Sequence, residues 1–294
     1  MAFAVFGDGP YRAWEMGRYR RLIEAVNQTD LQWFLHVGDL FWYPCTDGNL
    51  AESLDGLNTI RHPVVYTPGD NEWTDCHERI TGRHDPLDRL ARIRATFFAN
   101  PTMSLGGERL LVESQGSDPT YSEFVENVRW RSGGFVFATL HIVGSGNGGD
   151  PFPGRTSAND EEVVRRTAAA LSWLDDAFAI AETENLHGVV LAMHGDPWEE
   201  NTQDPYPEFA PLVRHLTGKV TEFSRSVLLI HGDSHTFIVD HPLRHVETGE
   251  PLENFTRLET FGSPDIGWVR VVIDTVEGRV VAFEPRRIPS RLFW

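Results

Sequence analysis

The chain has 294 residues and a formal charge of −17, with 43 acidic residues against 26 Lys and Arg. Hydrophobic residues make up 40% of the chain and charged residues 23%, a balance typical of globular proteins that excludes disordered and fibrous classes. A field of this sign repels phosphate backbones and anionic headgroups, which disfavours nucleic acids and membrane surfaces as the main partners.

The first part of the sequence alternates short apolar runs with polar turns. Three of these runs each lead into a Gly-Asp pair, at residues 2–6, 33–37 and 64–67. Apolar runs that end in polar turns are typical of buried strands. Helical spacing predicts helices over residues 15–27 and 86–98, the second capped by Asp85. This strand–helix–strand order favours parallel strands.

The second part repeats this pattern and ends differently. Residues 128–130 and 134–143 are predicted as a strand pair around Ser132-Gly133, followed by a glycine-rich loop. A long helix is predicted over 160–184, capped by Asn159 or Asp160, and buried strands over 188–193 and 227–230. Beyond residue 236, alternating apolar positions predict an antiparallel, half-exposed sheet, and residues 285–294 a surface tail.

The sequence has no internal repeat, low-complexity tract or long polar linker. It therefore predicts a single domain over residues 1–294. Two sheets packed face to face, with helices outside, fit the predicted elements best.

Ligand-type side chains stand at the carboxyl ends of the predicted strands, where sites form in open α/β sheets. These side chains are Asp8, Asp39, Asp70, Asn71, His194, Asp233 and His235. Mixed carboxylate and imidazole ligands suit Zn, Mn or Fe better than Ca or Mg alone. Capping of the following helix is the structural alternative for the first two Asp residues.

The order of these motifs resembles the calcineurin-like metallophosphoesterase superfamily. The motifs run from Phe6-Gly7-Asp8 through Gly38-Asp39, Gly69-Asp70-Asn71-Glu72 and His194 to Gly232-Asp233-Ser234-His235. The resemblance implies a four-layer α/β/β/α sandwich with two mixed β-sheets. It also implies two divalent metal ions, Mn, Fe, Zn or Mg, and hydrolysis of a small-molecule phosphoester by a metal-bound hydroxide.

The resemblance also implies roles for individual residues. Asp39 would bridge the two ions. Asp8 and His235 would complete one ligand set, and the other set would be completed by residues of the later motifs, namely Asp70, His194 and Asp233.

The family usually has a His at position 71 that assists the leaving group, and here the residue is Asn71. Asn71 and Asp39 are the predicted catalytic residues at the centre. His77 is the predicted substitute proton donor, with His36 and His231 as further candidates. Asn71 also remains an alternative to Asp70 as the metal ligand of its motif.

Three other positions depart from the family pattern. Pro10 stands where the first motif usually has a His, and Asp233 replaces the first His of the last motif. The purple acid phosphatase branch has a Tyr where this chain has Trp42, so Tyr43 would be out of register. A member that binds metal without catalysis, and a phosphodiesterase rather than a phosphomonoesterase, therefore remain open.

The two cysteines each follow a motif Asp by six residues, Cys45 after Asp39 and Cys76 after Asp70. A disulfide between them would brace the motif loops and indicate export to an oxidising compartment, whereas free thiols would fit the cytoplasm. The sequence lacks the ~18 consecutive apolar residues of a membrane span and a recognisable signal peptide. The sequence leaves the oligomeric state open.

Overall fold

The computed structural model describes residues 1–199 and 204–290. The strands are β1 (Ala2–Phe6), β2 (Phe34–His36), β3 (Pro63–Tyr66), β4 (Leu105–Gly106), β5 (Glu113–Ser114), β6 (Val128–Ser132), β7 (Phe135–Thr139), β8 (Gly188–Ala192), β9 (Ser226–His231), β10 (Ile238–Asp240), β11 (Phe255–Glu259), β12 (Gly267–Asp274) and β13 (Arg279–Arg287). The longer helices are α1 (Met16–Gln28), α2 (Asp47–Asn58), α3 (Pro86–Phe97), α4 (Ser157–Thr183) and α5 (Ala210–Glu222).

The strands form two mixed sheets. The first has the order β13-β12-β1-β2-β3-β4, in which β1, β2 and β3 are parallel. The second has the order β10-β11-β9-β8-β7-β6-β5, in which β11, β9, β8 and β7 are parallel. The parallel strands of each sheet therefore end at one edge, and this edge carries the motif loops.

The apolar side chains divide into three clusters that define four layers. One cluster lies between the sheets and includes Phe3, Leu35, Phe137 and Leu228. A second covers the outer face of the first sheet with α1, α2 and α3, and a third covers the second sheet with α4 and α5. The predicted four-layer α/β/β/α sandwich with two mixed sheets is confirmed.

Two local predictions have different outcomes. Asp85 caps α3 as predicted, because its side chain accepts a hydrogen bond from the Leu87 amide. The predicted cap of α4 is wrong. Thr156 is the N-cap, and Asn159 lies one turn inside the helix, where it completes a capping box.

The alternation after residue 236 corresponds to antiparallel, partly exposed strands, as predicted, and these strands extend the two sheets. Strands β12 and β13 extend the first sheet, since Ala2 pairs with Val272, whereas β10 extends the second through β11. The predicted tail overlaps β13, and its residues 291–294 lie outside the described residues. Among the described helices, none is both long and apolar enough to cross a bilayer.

Cys45 and Cys76 form a disulfide. It joins the loop after β2 to the 3₁₀ turn Thr74–His77 after β3, and both sulfur atoms lie near the backbone carbonyl of Asn71. The disulfide therefore ties together two of the predicted motif loops.

We expect the double variant Cys45→Ala/Cys76→Ala to be less stable by roughly 3–4 kcal/mol, because a cross-link over 31 residues removes chain entropy from the unfolded state. Urea denaturation followed by circular dichroism measures this loss. Wild-type protein in reductant should unfold at the midpoint of the variant. An unchanged midpoint in the variant would contradict the expectation.

Candidate metal centre

The predicted ligands lie on loops that follow five parallel strands. Asp8 follows β1, Asp39 follows β2, and Asp70 and Asn71 follow β3 of the first sheet. In the second sheet, His194 follows β8, and Asp233 and His235 follow β9. Because the two sheets pack face to face with these ends on one side, both sets of loops meet there.

Four of these residues have a left-handed backbone. The φ angles are 56° at Asp8, 58° at Asp39, 83° at Asp233 and 64° at His235. Residues other than glycine rarely adopt this conformation, and such strain is concentrated at functional sites. The surrounding structure therefore holds these side chains in one orientation at a cost in stability.

His194 lies at the centre of the carboxylates. Its Nε2 lies 2.8 Å from Asp70 Oδ1, 3.4 Å from Asp39 Oδ1 and 3.7 Å from Asp233 Oδ1. Its Nδ1 lies 2.8 Å from the carbonyl oxygen of Val37, which can only accept, so Nδ1 carries the hydrogen. Metal-binding histidines commonly donate their other N–H in this way.

His235 and Asp8 lie on the other side of Asp39. His235 Nε2 is 3.8 Å from Asp8 Oδ1, and His235 Nδ1 donates to the Ser263 carbonyl oxygen at 2.7 Å. Asp8 is fully buried, its Oδ1 accepts from the Asp233 amide at 3.0 Å, and its Oδ2 has no hydrogen-bond partner among the described residues. A buried, unpartnered carboxylate oxygen calls for a proton or a cation.

Asn71 holds Asp39 in place. Its backbone amide donates to Asp39 Oδ1 at 3.1 Å, and its side-chain Nδ2 donates to Asp39 Oδ2 at 2.6 Å. The Asp70 carboxylate, in contrast, contacts His194. The structure therefore places Asp70 among the ligand-type groups and Asn71 as a donor that orients Asp39.

Glu72 joins the loops after β2 and β3 through hydrogen bonds to both. Its fully buried carboxylate accepts from the amides of Leu40 at 2.6 Å and Gly69 at 3.1 Å, and from the Tyr66 hydroxyl at 3.3 Å. Burial raises its pKa to about 7, against the opposing effect of the Leu40 amide. Glu72 thus supports the site without belonging to either ligand-type cluster.

Sequence reasoning missed Tyr11. Its hydroxyl donates to Asp39 Oδ2 at 2.5 Å and lies 3.4 Å from His235 Nε2. Burial and the neighbouring carboxylate of Asp39 raise its pKa well above the ordinary value, so the phenol keeps its proton. Its position next to Pro10, where the first motif lacks its usual His, was the signal that could have identified it.

The other tyrosine candidate lies away from the carboxylates. The Tyr43 hydroxyl accepts from Arg12 Nη1 at 3.3 Å, and the residue is 37% exposed. The substitution by Tyr43 that the sequence left open is therefore not seen among the described contacts of the carboxylates. Tyr11 occupies the position by Asp39 instead.

The three candidate proton donors have different surroundings. His77 stacks on Phe152 and lines a cavity that Ser145 also lines, and no described contact joins it to the carboxylates. His36 and His231 are fully buried, and burial lowers the pKa of each to about 3. Neither can supply a proton at neutral pH.

Glycines allow the loops to approach the carboxylates closely. A Cβ on Gly69 would lie 2.1 Å from Asp39 Oδ1, and one on Gly144 would lie 2.6 Å from Asp233 Oδ1. Gly144 begins the predicted glycine-rich loop, and the hydroxyl of the next residue, Ser145, donates to Asp70 Oδ2 at 2.9 Å. That loop is therefore a wall of the site.

The electrostatics are those of crowded carboxylates. Burial raises the pKa of Asp39 well above its ordinary value, and burial together with the charge of Asp70 raises that of Asp233 to about 7. Burial also acts to raise the pKa of Asp70, but hydrogen bonding and the charge of His194 outweigh it and give about 2. Burial opposes a charge on His194, yet Asp39 and Asp70 raise its pKa well above the ordinary value.

These groups fit divalent cations. Two sets of three residues could each hold an ion, Asp8-Asp39-His194 and Asp70-His194-Asp233. Within each set, the three ligand atoms lie within 4.8 Å of one another. His194 thus belongs to both sets, whereas the sequence assigned it to one ion only. His235 lies beside the first set, near Asp8.

We expect metal affinity to rise with pH. Without an ion, the raised pKa values of His194 and Asp233 mean that protons occupy the ligands, so binding must release them. Between about pH 6 and pH 8 the dissociation constant for Mn²⁺ should fall roughly 100-fold, which corresponds to about one proton released per ion bound over these two pH units. Calorimetry in two buffers of different ionisation enthalpy measures this release. Equal affinity at both pH values would contradict it.

Comparison with known proteins gives likeness at the level of structure. No protein-family model matches the sequence, and no curated protein matches it. Among solved structures, PhoD superposes with a TM-score of 0.56 at 14% identity, over 94% of this chain and 64% of PhoD. GAP50, described as the anchor in the inner membrane complex of Plasmodium, gives 0.54 at 10% identity, over 99% of this chain and 90% of GAP50.

A Staphylococcus aureus protein assigned as a 5′-nucleotidase gives a TM-score of 0.51 at 12% identity, over 99% of this chain and 55% of that protein. The chain thus spans less than two thirds of PhoD and of this protein. These neighbours share the calcineurin-like metallophosphoesterase fold, and the chain has that fold.

Proposed function

We propose that the chain is a metal-dependent hydrolase of small phosphoesters with a binuclear centre. The observation that carries the proposal is the convergence of three buried carboxylates and the partly exposed Asp233 on two imidazoles, each with Nδ1 hydrogen-bonded to a backbone carbonyl. These groups are Asp8, Asp39, Asp70, Asp233, His194 and His235. When bound, two divalent cations lower the pKa of a water ligand and neutralise charge on the phosphoryl oxygens.

The chain's own residues would orient this centre. Asp39 belongs to the first set and lies 3.4 Å from His194, which both sets share, so Asp39 would contact both ions. Asn71 fixes its carboxylate through two hydrogen bonds. Asp8 and His235 would complete one set, and Asp70, His194 and Asp233 the other. His77 lines the same cavity as Ser145, whose hydroxyl donates to Asp70, and this position supports His77 as the proposed proton donor.

Tyr11 supplies the polar group that Pro10 does not. Because its hydroxyl contacts both Asp39 and His235, we expect Tyr11→Phe to weaken metal binding or lower kcat/KM by roughly 10–100-fold, the effect typical of groups that orient metal ligands. Metal titration and steady-state kinetics measure the change. Tyr43→Phe is the matched control and should leave both values near those of the wild type. Equal behaviour of the two variants would remove Tyr11 from the site.

Hydrolysis of p-nitrophenyl phosphate and bis(p-nitrophenyl) phosphate, by protein treated with chelator and then reloaded with Mn²⁺, Zn²⁺ or Mg²⁺, tests the proposal. Turnover that depends on added metal would support it, and the preferred ester would separate monoesterase from diesterase. Metal binding without turnover of either ester would favour a second candidate.

That second candidate is a binding protein with the same fold. The losses at Pro10, Asn71 and Asp233 favour it, and GAP50, a protein of this fold, is described as an anchor.

We also propose an oxidising compartment for the chain. The Cys45–Cys76 disulfide supports this location.

A further inference from the structure

A second cluster of buried ligand-type side chains lies outside the proposed binuclear centre. Asp196, His231 and Glu259 each offer one ligand atom, and these atoms lie within 4.8 Å of one another. His231 ends β9, and Glu259 ends the neighbouring strand β11 directly opposite it. His231 and Glu259 are fully buried, and the Asp196 side chain is 11% exposed.

His231 is oriented like a metal ligand. Its Nδ1 lies 2.9 Å from the carbonyl oxygen of Gly232, so Nδ1 carries the hydrogen and Nε2 has a free lone pair. Nε2 is 3.8 Å from Asp196 Oδ1 and has no hydrogen-bond partner among the described residues. The imidazoles of His194 and His235 have the same arrangement of a tied Nδ1 and an Nε2 that faces carboxylates.

Glu259 contributes a second unsatisfied atom. Its Oε1 accepts a hydrogen bond from the Ser234 hydroxyl, but its Oε2 is buried without a partner among the residues the structure describes. A bare carboxylate oxygen beside an imidazole lone pair is unfavourable in a dry interior, since both groups are acceptors. A cation between them would satisfy both.

The charges around the cluster also favour a cation. Arg257 is the described cation that faces it, and its guanidinium is bound at both ends by Asp240, at 2.7 and 2.6 Å. Arg257 Nη1 lies 3.7 Å from Asp196 Oδ1, beyond hydrogen-bond distance. Asp196 and Glu259 thus converge near this guanidinium, and a divalent ion would add positive charge where the two carboxylates meet.

We propose that Asp196, His231 and Glu259 bind a third divalent cation of the zinc class, separate from the proposed binuclear pair. One imidazole and two carboxylates are a ligand set that Zn²⁺ accepts. The ion would brace the loop after β8, because the Asp196 amide donates to Asp233 Oδ2 at 3.0 Å. The proposal does not depend on catalysis and goes beyond the proposed function.

Protonation of Glu259 is the competing state. Burial raises its pKa to about 9 when no ion is present, so a neutral acid could also fill the cluster. The two states differ in what a substitution does to bound metal. If a cation fills the cluster, substitution of His231 or Glu259 removes an ion. If Glu259 is instead protonated, neither substitution changes the metal content.

The test is the zinc content, by elemental analysis after loading and desalting, of the full chain and its variants. We expect three ions in the wild type, two in His231→Gln and two in Glu259→Gln, whose amide can keep the Ser234 hydrogen bond. His62→Gln is the matched control and should retain three, because His62 is also buried, and its partners among the described residues are the Val26 carbonyl and the neighbouring Arg61. Circular dichroism identifies any variant that does not fold.

A second measurement separates this site from the binuclear pair. Asp39→Asn should keep a zinc-dependent rise in melting temperature, and Asp39→Asn/His231→Gln should lose it. Zinc contents that are equal in the wild type, His231→Gln and Glu259→Gln would overturn the third site. A wild type that binds one ion, retained in Asp39→Asn and lost in His231→Gln, would instead overturn the binuclear centre and leave this site standing.

Discussion

Asp39→Asn is expected to remove the bound pair of metal ions and lower kcat/KM for p-nitrophenyl phosphate by at least about 10³-fold, because metal-assisted charge stabilisation is worth several kcal/mol. Asp39 belongs to the first ligand set, and its Oδ1 lies 3.4 Å from Nε2 of His194, which both sets share. It also receives hydrogen bonds from Asn71 and Tyr11, so the proposed centre depends on its carboxylate. Elemental analysis and steady-state kinetics measure the two losses.

The same substitution should stabilise the protein in chelator. Burial raises the pKa of Asp39 well above its ordinary value, so a charge there at neutral pH destabilises the metal-free fold, and a neutral amide removes this penalty. Thermal denaturation in chelator should therefore show a higher midpoint than in the wild type. Asp30→Ala, at an exposed carboxylate, is the control and should change neither property. A folded Asp39→Asn that retains both ions and activity would contradict the account.

Gly69→Ala is expected to lower kcat/KM by roughly 10²-fold, the order of effect that a displacement of about 1 Å has at a reacting centre. Its Cβ would lie 2.1 Å from Asp39 Oδ1 and 2.5 Å from the Asp39 amide nitrogen, so the loops after β2 and β3 must move apart. This displacement should also destabilise the fold by roughly 1–3 kcal/mol, as overpacking usually does. Kinetics and urea denaturation measure the two effects.

Gly218→Ala is the matched control. Gly218 lies inside α5, and a Cβ there would meet no atom within 4 Å. This variant should therefore gain roughly 0.5–1 kcal/mol, the usual advantage of Ala over Gly in a helix, with unchanged activity. Wild-type activity in Gly69→Ala would show that the close approach of Gly69 to Asp39 has no role.

The ligand-type residues were predictable because they follow strands that the sequence reveals locally. Asp8, Asp39 and Asp70 each follow a short apolar run and a glycine, and the carboxyl ends of parallel strands share an edge. The fold class followed from the same pattern. Their mutual distances, in contrast, depend on how two separate sheets pack.

Long-range contacts were not predictable in this way. The Tyr11 hydroxyl meets His235 across 224 residues of chain, and no local pattern indicates that contact. Strand β12 pairs with β1, which lies at the other end of the sequence. The alternating apolar residues of β12 therefore indicated a strand but not the sheet to which it belongs. The second cluster was missed for a related reason, since Glu259 ends β11, a strand the sequence analysis did not predict.

Helix α2 was missed because its apolar periodicity is weak. Only Leu50 and Leu57 are buried in it, and Gly48 and Gly56 lower its helix propensity. Its N-terminus is instead fixed by Thr46, whose side chain accepts from the Asn49 amide, and by the disulfide at Cys45. Tertiary packing and capping, rather than apolar periodicity, therefore determine where α2 forms.

The most direct test of the central claim is hydrolysis of p-nitrophenyl phosphate and its bis ester by wild-type protein, first in chelator and then with Mn²⁺ or Zn²⁺ restored. Turnover should be absent in chelator, should reappear when metal is restored and should be absent in Asp39→Asn. Turnover that persists in chelator, or a metal-loaded wild type that hydrolyses neither ester, would contradict it.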